Sequence, residues 1–228
     1  VIVYVQRGNR TLRSLKYDLM NDAYLSPELS MMARHLLQDN VVDMAYQDRP
    51  EPIVWLVTGE GDLVGATYDP ILEINAFHKH STEGIYESIA TIPGTNEEEL
   101  WCVVKRYVNG SWTRYIEQFQ TYDWDDVENT PFMDSAIIYE GEATDTVTAA
   151  GHLEGKEVSV LTNGGVHPNV TVTGGTIQLQ WPTTKCIIGL PYTSYIRTMR
   201  LNAPTSAGTN QGKQQRVFKS TIRLKDTI

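Results

Sequence analysis

Two histidines at alternating positions, His78 and His80, come nearest in this sequence to a metal-binding pattern. In a β-strand, residues i and i+2 point to the same face, so both imidazoles could approach one transition-metal ion. No carboxylate or cysteine lies beside them to complete a ligand set. A polar strand end that leads into a turn explains the same residues, and we predict no metal site here.

Two acidic runs carry oxygen ligands that could hold Ca²⁺. The first run contains Glu97, Glu98 and Glu99, and the second contains Asp123, Asp125 and Asp126, with Glu128 following it. The second run lacks the glycine and the terminal glutamate of an EF-hand loop. The first run is typical of a charged hairpin end, which prevents edge-to-edge aggregation of strands. We therefore interpret both runs as solvated loops.

The sequence offers no local pattern for catalysis. Paired carboxylates could make a glycosidase, but any acidic chain contains such pairs. There is no G-x-S-x-G, no H-E-x-x-H and no P-loop. Cys102 and Cys186 lie in apolar, strand-like segments, which favours buried free thiols over reactive ones. We predict that the chain is not an enzyme and that it has no catalytic residue and no cofactor.

The tryptophans offer a second kind of chemistry, because their rings could stack on sugars. Trp55 and Trp101 lie at matching points of two similar segments, so packing in a core explains them better. Trp124 lies in the acidic run and is the best candidate for an exposed contact. Sugar binding through such a residue would make the chain a receptor- or carbohydrate-binding module, which is the alternative function.

Composition limits the function further. The chain has 228 residues and a formal net charge of −9, with 41% hydrophobic and 21% charged residues, which argues against disorder. An acidic chain does not coat nucleic acid, since phosphate binding needs clustered lysine and arginine, but an acidic wall can repel DNA and let it slide. No apolar run reaches the roughly 20 residues that span a bilayer, so membrane insertion is not predicted.

Residues 1–40 are predicted to form a hairpin followed by one short helix. The hairpin strands are residues 2–5 and 12–17. Ser26 is a suitable N-cap and Pro27 suits the first helical position. The apolar residues that follow have helical spacing: Leu29, Met32, Ala33, Leu36 and Leu37.

Residues 41–143 predict two propeller-like units of four strands each, in a mainly-β fold. The strands are predicted at residues 41–46, 53–58, 63–68, 71–78, 85–92, 100–108, 112–119 and 135–139. Asn109-Gly110 is the strongest short hairpin signal. Trp55 and Trp101, 46 positions apart, fall at equivalent points, and such a period is typical of propeller blades. A simple meander sheet is the alternative.

Residues 144–197 predict a small inserted β-barrel or sandwich, because short strands alternate with glycine- and asparagine-rich turns. The strands are predicted at residues 144–149, 157–162, 166–172, 176–180 and 185–190. Residues 198–228 then return to the larger β domain through a flexible loop and a strand at residues 219–224. The chain begins at Val1 without a leader, and we expect it to be a piece of a longer protein.

Four segments together resemble the podovirus-type phage tail nozzle or tail tubular proteins, a family also found in prophages. They are RPEPIVWLVTGEGDLVGATYD, STEGIYESIATIPGTNEEELWCVVKRYVNGSWTRYIEQF, GHLEGKEVSVLTNGGVHPNVTVTGGTIQL and IGLPYTSYIRTMRL. The resemblance covers most of the chain, from about Val3 to Leu201. Each segment is a strand-turn-strand pattern of moderate specificity, and their order and joint presence carry the resemblance.

The resemblance implies a structural role in the virion. Members of the family form a propeller-like platform with inserted β domains, and several copies, typically six, ring a channel at the end of a short tail. We therefore expect self-association, contacts with other tail proteins, and passage of DNA without specific binding. The protein would be made in the bacterial cytoplasm and end in the phage tail. The two acidic runs are the predicted channel-facing loops, and the family has no catalytic residues to carry over.

Overall fold

A computed structural model describes residues 1–120, 125–130, 132–148, 150–195, 204–205, 208–209, 216 and 218–223. Strands make up 58% of the structure and helical segments 5%, so the predicted mainly-β class is confirmed. The strands form four antiparallel sheets of three or four strands and a two-stranded ribbon, β15 (Pro204–Thr205) with β16 (Gly208–Thr209). Among the described residues, no helix has the length and apolar character needed to cross a membrane.

The first sheet contains three strands in sequence order: β1 (Ile2–Val5), β2 (Leu12–Asp18) and β3 (Ala23–Leu25). The predicted hairpin is confirmed, with Val5 opposite Leu12. Alternation along β2 buries Leu12 and Ser14, while Arg13 between them is less buried. One face of this sheet therefore belongs to a core and the other faces outward.

The predicted helix after Ser26 is wrong. Only Arg34–Leu36 form one turn of 3₁₀-helix, and Met32, which the helical stripe predicted as buried, is 84% exposed. The segment instead pairs with β2, because the Leu29 N–H donates to the Leu12 carbonyl at 2.9 Å and Arg13 forms a β-bridge with Glu28. Backbone bonding to a neighbouring strand has therefore overridden a helical pattern that is only about three turns long.

The second sheet is a four-stranded meander in sequence order: β4 (Val41–Gln47), β5 (Ile53–Thr58), β6 (Leu63–Asp69) and β7 (Ile74–His80). All four strands of the first predicted unit are present. The turn between β5 and β6 has Gly61 at positive φ. Since β5 is buried along nearly its whole length, it lies inside the molecule with cores on both faces.

The third sheet has three strands, not the four predicted: β8 (Ile85–Pro93), β9 (Glu98–Val108) and β10 (Ser111–Gln118). Asn109 and Gly110 connect β9 to β10 with φ values of 48° and 79°, as a tight two-residue hairpin requires. The predicted fourth strand, residues 135–139, begins a strand of the C-terminal sheet instead. β10 therefore has a free edge among the described residues.

The first three sheets are stacked face to face. The core between the first and second sheets contains Leu12, Leu37, Leu56 and Val64. The core between the second and third sheets is lined by residues of both: Trp55, Val57, Leu63, Tyr86, Ile89, Leu100, Cys102 and Val104. Alternate residues of β5 enter the two cores, so the second sheet forms the middle layer.

The C-terminal sheet is four-stranded, in the order β11-β14-β12-β13. Its strands are β11 (Asp134–Val147), β12 (Glu157–Thr162), β13 (Gly165–Thr171) and β14 (Ile177–Leu190), and short 3₁₀-helices lie at Val127–Asn129 and Gly151–Leu153. The sheet is not closed, which corrects the predicted barrel. The predicted strands at 176–180 and 185–190 are one continuous strand, β14, and the predicted boundary at residue 144 falls inside β11.

Residues 218–223 belong to no sheet. The strand predicted at residues 219–224 is therefore not formed at residues 219–223. Phe218 is 91% exposed and Ile222 is 77% exposed. An apolar pair this exposed has no packing partner among the described residues.

Candidate functional site

A cleft of about 1480 Å³ runs between β7 and β10 and is bordered on its far side by the start of β11. His78 and His80 on β7 and Tyr115 and Glu117 on β10 line this cleft. Residues 192–195, which leave the last strand of the C-terminal sheet, also line it. The cleft lies where the predicted fourth strand of the third sheet would have run, next to the free edge of β10.

Arg106 is the centre of a buried polar cluster at one end of the cleft. Its side chain is 3% exposed, and its Nε and Nη2 each donate to one carboxylate oxygen of Glu117 at 2.6 Å. Nη1 donates to Thr82 Oγ1 at 2.8 Å and to the Glu83 carbonyl at 3.0 Å. Each guanidinium nitrogen therefore has an acceptor, as a buried cation requires.

Asp134, at the start of β11, is the second acid of this cluster. Burial raises the pKa of its carboxyl group, and a neighbouring Glu117 adds to that, while the Thr82 hydrogen bond and Arg106 oppose the rise. The next residue, Ser135, donates from Oγ to Glu117 at 3.3 Å. The Ser135 carbonyl is bonded to His152 Nε2 at 2.8 Å. The cluster therefore connects the third sheet to the C-terminal sheet.

The side chains of this cluster are held by one another and join two sheets. Ser135 Oγ bonds to the carboxylate of Glu117, which is already held by Arg106. Burial raises the pKa of the Cys102 thiol to about 12, so the thiolate that attacks electrophiles is scarce at neutral pH. An exposed ion pair between Lys156 and Glu83 spans the same two sheets.

Aromatic and imidazole rings form the other wall of the cleft. Trp55 packs edge-on against His78, with ring centroids 5.4 Å apart, and His80 lies 5.0 Å from His78 and 5.5 Å from Phe119. Burial lowers the pKa of His80 to about 4, so its imidazole is neutral at pH 7. Among the described residues, no group of three or more histidine, cysteine or acidic side chains could hold a metal ion.

The first predicted acidic run lies at the opposite end of the cleft from Arg106. Glu98 connects two hairpins, because its carbonyl accepts from Gln47 Nε2 at 2.8 Å and its carboxylate accepts from the Asp48 N–H. Glu99 accepts from Trp101 Nε1 at 3.0 Å. Glu97 borders the same cleft. The run is therefore a structured end of the third sheet that also makes the mouth of the cleft acidic.

The second predicted acidic run lies elsewhere. Asp126 caps the 3₁₀-helix Val127–Asn129, accepting from the Glu128 N–H at 3.2 Å, and Glu128 lies 3.9 Å from Lys185 on β14. Asp125 precedes it with a positive φ of 53°. This run therefore packs beside the C-terminal sheet. Asp123 and Trp124 lie outside the described residues.

Sequence reasoning missed the Arg106 cluster, although one signal for it was present. Alternate residues of β9 face the core between the sheets, and Leu100, Cys102 and Val104 are apolar. Arg106 continues this row, and a charged side chain in a buried row needs a partner. Its partner, Glu117, is not the residue directly opposite Arg106 in the hairpin, which is Thr113. Glu117 lies opposite Cys102, further along the same face of the sheet.

Exposed aromatic residues lie on the outer face of the third sheet. Tyr107 and Trp112 are opposite one another on β9 and β10, with ring centroids 5.5 Å apart, and each is about half exposed. Lys105 Nζ lies 5.3 Å from the centre of the Trp112 ring. Ile116, on the same face, is 75% exposed. This face is therefore apolar at its centre and has a cation over one ring.

Comparison with family models finds no match, and no curated protein matches the chain at a significant level.

Proposed function

We propose that this chain is a structural component of a phage tail, of the nozzle or tube class, whose copies assemble into a ring around a channel for DNA. The virion is then its final location and the bacterial cytoplasm its place of synthesis. Its partners are further copies of itself and other tail proteins. DNA passes through the ring without specific binding.

The stacking of successive meander sheets is the observation that carries this proposal. The first strands of two consecutive sheets, β4 and β8, lie side by side: Asp43 accepts from Ser88 Oγ at 2.7 Å, and Thr91 Oγ1 donates to the Tyr46 carbonyl at 2.8 Å. In a propeller, the first strand of each blade lies at the centre, next to the first strand of the neighbouring blade. The arrangement of these two sheets supports a propeller-like platform.

The two tryptophans of the repeat support it as well. Trp55 on β5 projects from the second sheet toward the third, where it is buried. Trp101 holds the equivalent place on β9 and projects from the third sheet to its outer face, together with Trp112 and Ile116. A further sheet, from the same protein or from another copy, would cover this face as the third sheet covers Trp55.

Charge supports the channel part of the proposal. The net charge of −9 disfavours binding of phosphates, so a wall built from such chains would not retard DNA. The acidic end of the third sheet, at Glu97, Glu98 and Glu99, and the acidic run at Asp125 and Asp126 are the candidate channel surfaces.

Quantitative mass spectrometry of gradient-purified phage particles, induced from the source organism, tests the proposal. Peptides of this chain should appear in a fixed ratio to other tail proteins, at several copies per particle. A protein that is abundant in the lysate but absent from particles would contradict a virion role.

A carbohydrate-binding module is the second candidate, and the exposed pair Tyr107 and Trp112 favours it. Adjacent aromatic rings with a cation close by can stack on a sugar and bind its hydroxyl groups. A glycan array probed with the wild-type chain and with Trp112→Ala separates the two functions, and Trp181→Ala, on the C-terminal sheet, serves as the matched control. Binding that Trp112→Ala alone removes would favour the module.

A further inference from the structure

The cleft has the shape and chemistry of an unfilled strand position. Among the described residues, β10 pairs only with β9, so its outer N–H and C=O groups are available to another strand. The cleft extends along this edge from the acidic mouth at Glu97 to Asp134. An extended peptide that pairs with a free sheet edge gains backbone hydrogen bonds along its whole length.

The stacking of the first two sheets indicates what such a strand would cover. On one face of β7, Phe77 packs in the core beneath the first sheet, and Asn75 Nδ2 donates to the Leu29 carbonyl at 2.9 Å. Leu29 belongs to the segment that flanks β2 on the β3 side, so the outer part of the first sheet covers this face of β7. On the other face, His78 and His80 border the cleft, where the third sheet has no fourth strand.

We propose that the C-terminal segment 218–223 of this same chain occupies the cleft, as the fourth strand of the third sheet. Its sequence, Phe-Lys-Ser-Thr-Ile-Arg, alternates apolar or small residues with polar ones, and phenylalanine, threonine and isoleucine favour strands. Phe218 and Ile222 project to the same side of an extended chain and are exposed outside the cleft. Docking would place them against the ring cluster of Trp55, His78 and Phe119.

Charge complementarity favours this occupant. The segment carries two cations, Lys219 and Arg223, and no carboxylate. The cleft is lined by six acidic residues: Glu51, Glu97, Glu98, Glu99, Glu117 and Asp134. Its two basic residues are Lys79, which pairs with Asp62, and Arg106, which pairs with Glu117, so the lining keeps four more acidic than basic residues. A basic strand would therefore reduce the negative potential of the cleft.

Chain connectivity favours the same chain over a second copy as the source. Residues 192–195 line the cleft, so the connection to the segment starts at the cleft itself. The connecting residues 196–217 include the β15–β16 ribbon, which folds the chain back, and could span up to about 60 Å, which is ample for a return to β10. A short tether holds the segment near the cleft at an effective concentration in the millimolar range. The proposed docking is independent of the proposed function, because it is argued from the cleft and the segment and does not require a phage tail.

Amide hydrogen exchange of the full chain tests the docking. In the wild type, the β10 amides that do not bond to β9 should exchange at least about tenfold more slowly than in the double variant Phe218→Asp/Ile222→Asp. Thr221→Ser, on the opposite side of the segment, is the control and should leave the exchange unchanged. Equal exchange in the wild type and the double variant, with circular dichroism showing both folded, would overturn the proposal.

Disulfide trapping identifies the source of the strand. Ile116→Cys is combined in turn with Lys219→Cys, Ser220→Cys or Thr221→Cys; the native Cys102 and Cys186 are buried and do not compete. A cross-link within monomers for Lys219→Cys or Thr221→Cys, but not for Ser220→Cys on the inward side of the segment, is the expected result. No cross-link at any position would overturn the proposal. Cross-links only between two chains would overturn the assignment to the same chain and assign the strand to a second copy.

Discussion

Arg106 on β9 and Glu117 on β10 form a two-bond ion pair, with both N–O distances at 2.6 Å, at the junction between the stacked sheets and the C-terminal sheet. Arg106 is 3% exposed, whereas Glu117 retains 22% exposure. The guanidinium also donates to Thr82 and the Glu117 carboxylate accepts from Ser135, so the ion pair connects three parts of the chain.

Removal of the cation should therefore be costly. Arg106→Met leaves Glu117 and Asp134 close together in a half-buried site, and we expect a loss of about 3 kcal/mol in the free energy of unfolding. Chemical denaturation measures it. The double variant Arg106→Met/Glu117→Leu should recover part of the loss, because it removes the carboxylate that Arg106 pairs with and leaves Asp134 as the one acid of the site. A single variant as stable as the wild type would contradict the structural role of the pair.

Asp134→Asn should stabilise the protein at neutral pH. Burial raises the pKa of Asp134, so the folded state binds its proton more tightly than the unfolded state does. Stability from this group is therefore present at low pH and is lost as pH rises from about 3.8, the ordinary value, through the raised pKa. Denaturation midpoints of the wild type and the variant, measured between pH 4 and pH 8, should diverge with rising pH. If the two midpoints changed with pH in parallel, the Asp134 carboxyl group would not be the cause of the loss of stability.

His80 should make the protein less stable as the pH falls from 6.5 toward 4. Burial lowers its pKa from 6.5 to about 4, so the unfolded state takes up the proton first. The contribution of neutral His80 to the free energy of unfolding is fully present above pH 6.5 and falls as the pH decreases toward 4. The loss is at most about 3 kcal/mol, and the partial exposure of His80 makes it smaller. His80→Phe should flatten this part of the stability profile. An unchanged pH dependence between 4 and 6.5 would assign the acid sensitivity to other groups.

Gly65 should not tolerate a side chain. It lies opposite His78, and a Cβ placed on Gly65 would come within 2.1 Å of His78 Nε2. His78 is itself packed against Trp55 and His80, so we expect Gly65→Ala to cost about 1–3 kcal/mol. Gly151→Ala is the matched control, because nothing lies within 4 Å of its added Cβ. The double variant Gly65→Ala/His78→Ala should regain stability if the clash is the cause.

The acidic surfaces should matter for DNA passage if they face the channel. A graded charge series in assembled tails consists of the neutral variant Glu97→Gln and the reversed variant Glu97→Lys. Each is also combined with the corresponding change at Asp125, Asp125→Asn or Asp125→Lys. Ejection of DNA should slow progressively from wild type through the neutral to the reversed variants. The rate of DNA release from purified particles measures it, and equal rates across the series would remove the electrostatic part of the proposed mechanism.

Much of the stacked-sheet fold is predictable because its signals are local. The strands β4–β6 and β8–β10 follow from alternation and from turn residues such as Asn109-Gly110, whose positive φ angles the structure shows. The repeat of Trp55 and Trp101 marks equivalent strands. Periodicity alone was enough for these elements, since each is paired with its sequence neighbour.

The remaining features depend on contacts that are distant in sequence. Leu29 follows a helical pattern, but its N–H bonds to Leu12, seventeen residues earlier. Residues 135–139 have strand character, but they pair with β14 rather than β10, so the cleft appears only in three dimensions. The hydrogen bond from Ser135 to Glu117, the partner of Arg106, likewise joins two sheets that no local pattern connects.

Electron cryo-microscopy of purified particles tests the central claim most directly. The stacked unit of β1–β10, with its two internal cores, gives a shape that can be located in a map of the tail. The proposed function predicts several symmetry-related copies around the DNA channel, with Trp112 and Ile116 covered by a neighbouring sheet. Copies found only at outward-pointing tips, or no such density in a complete tail, would contradict it.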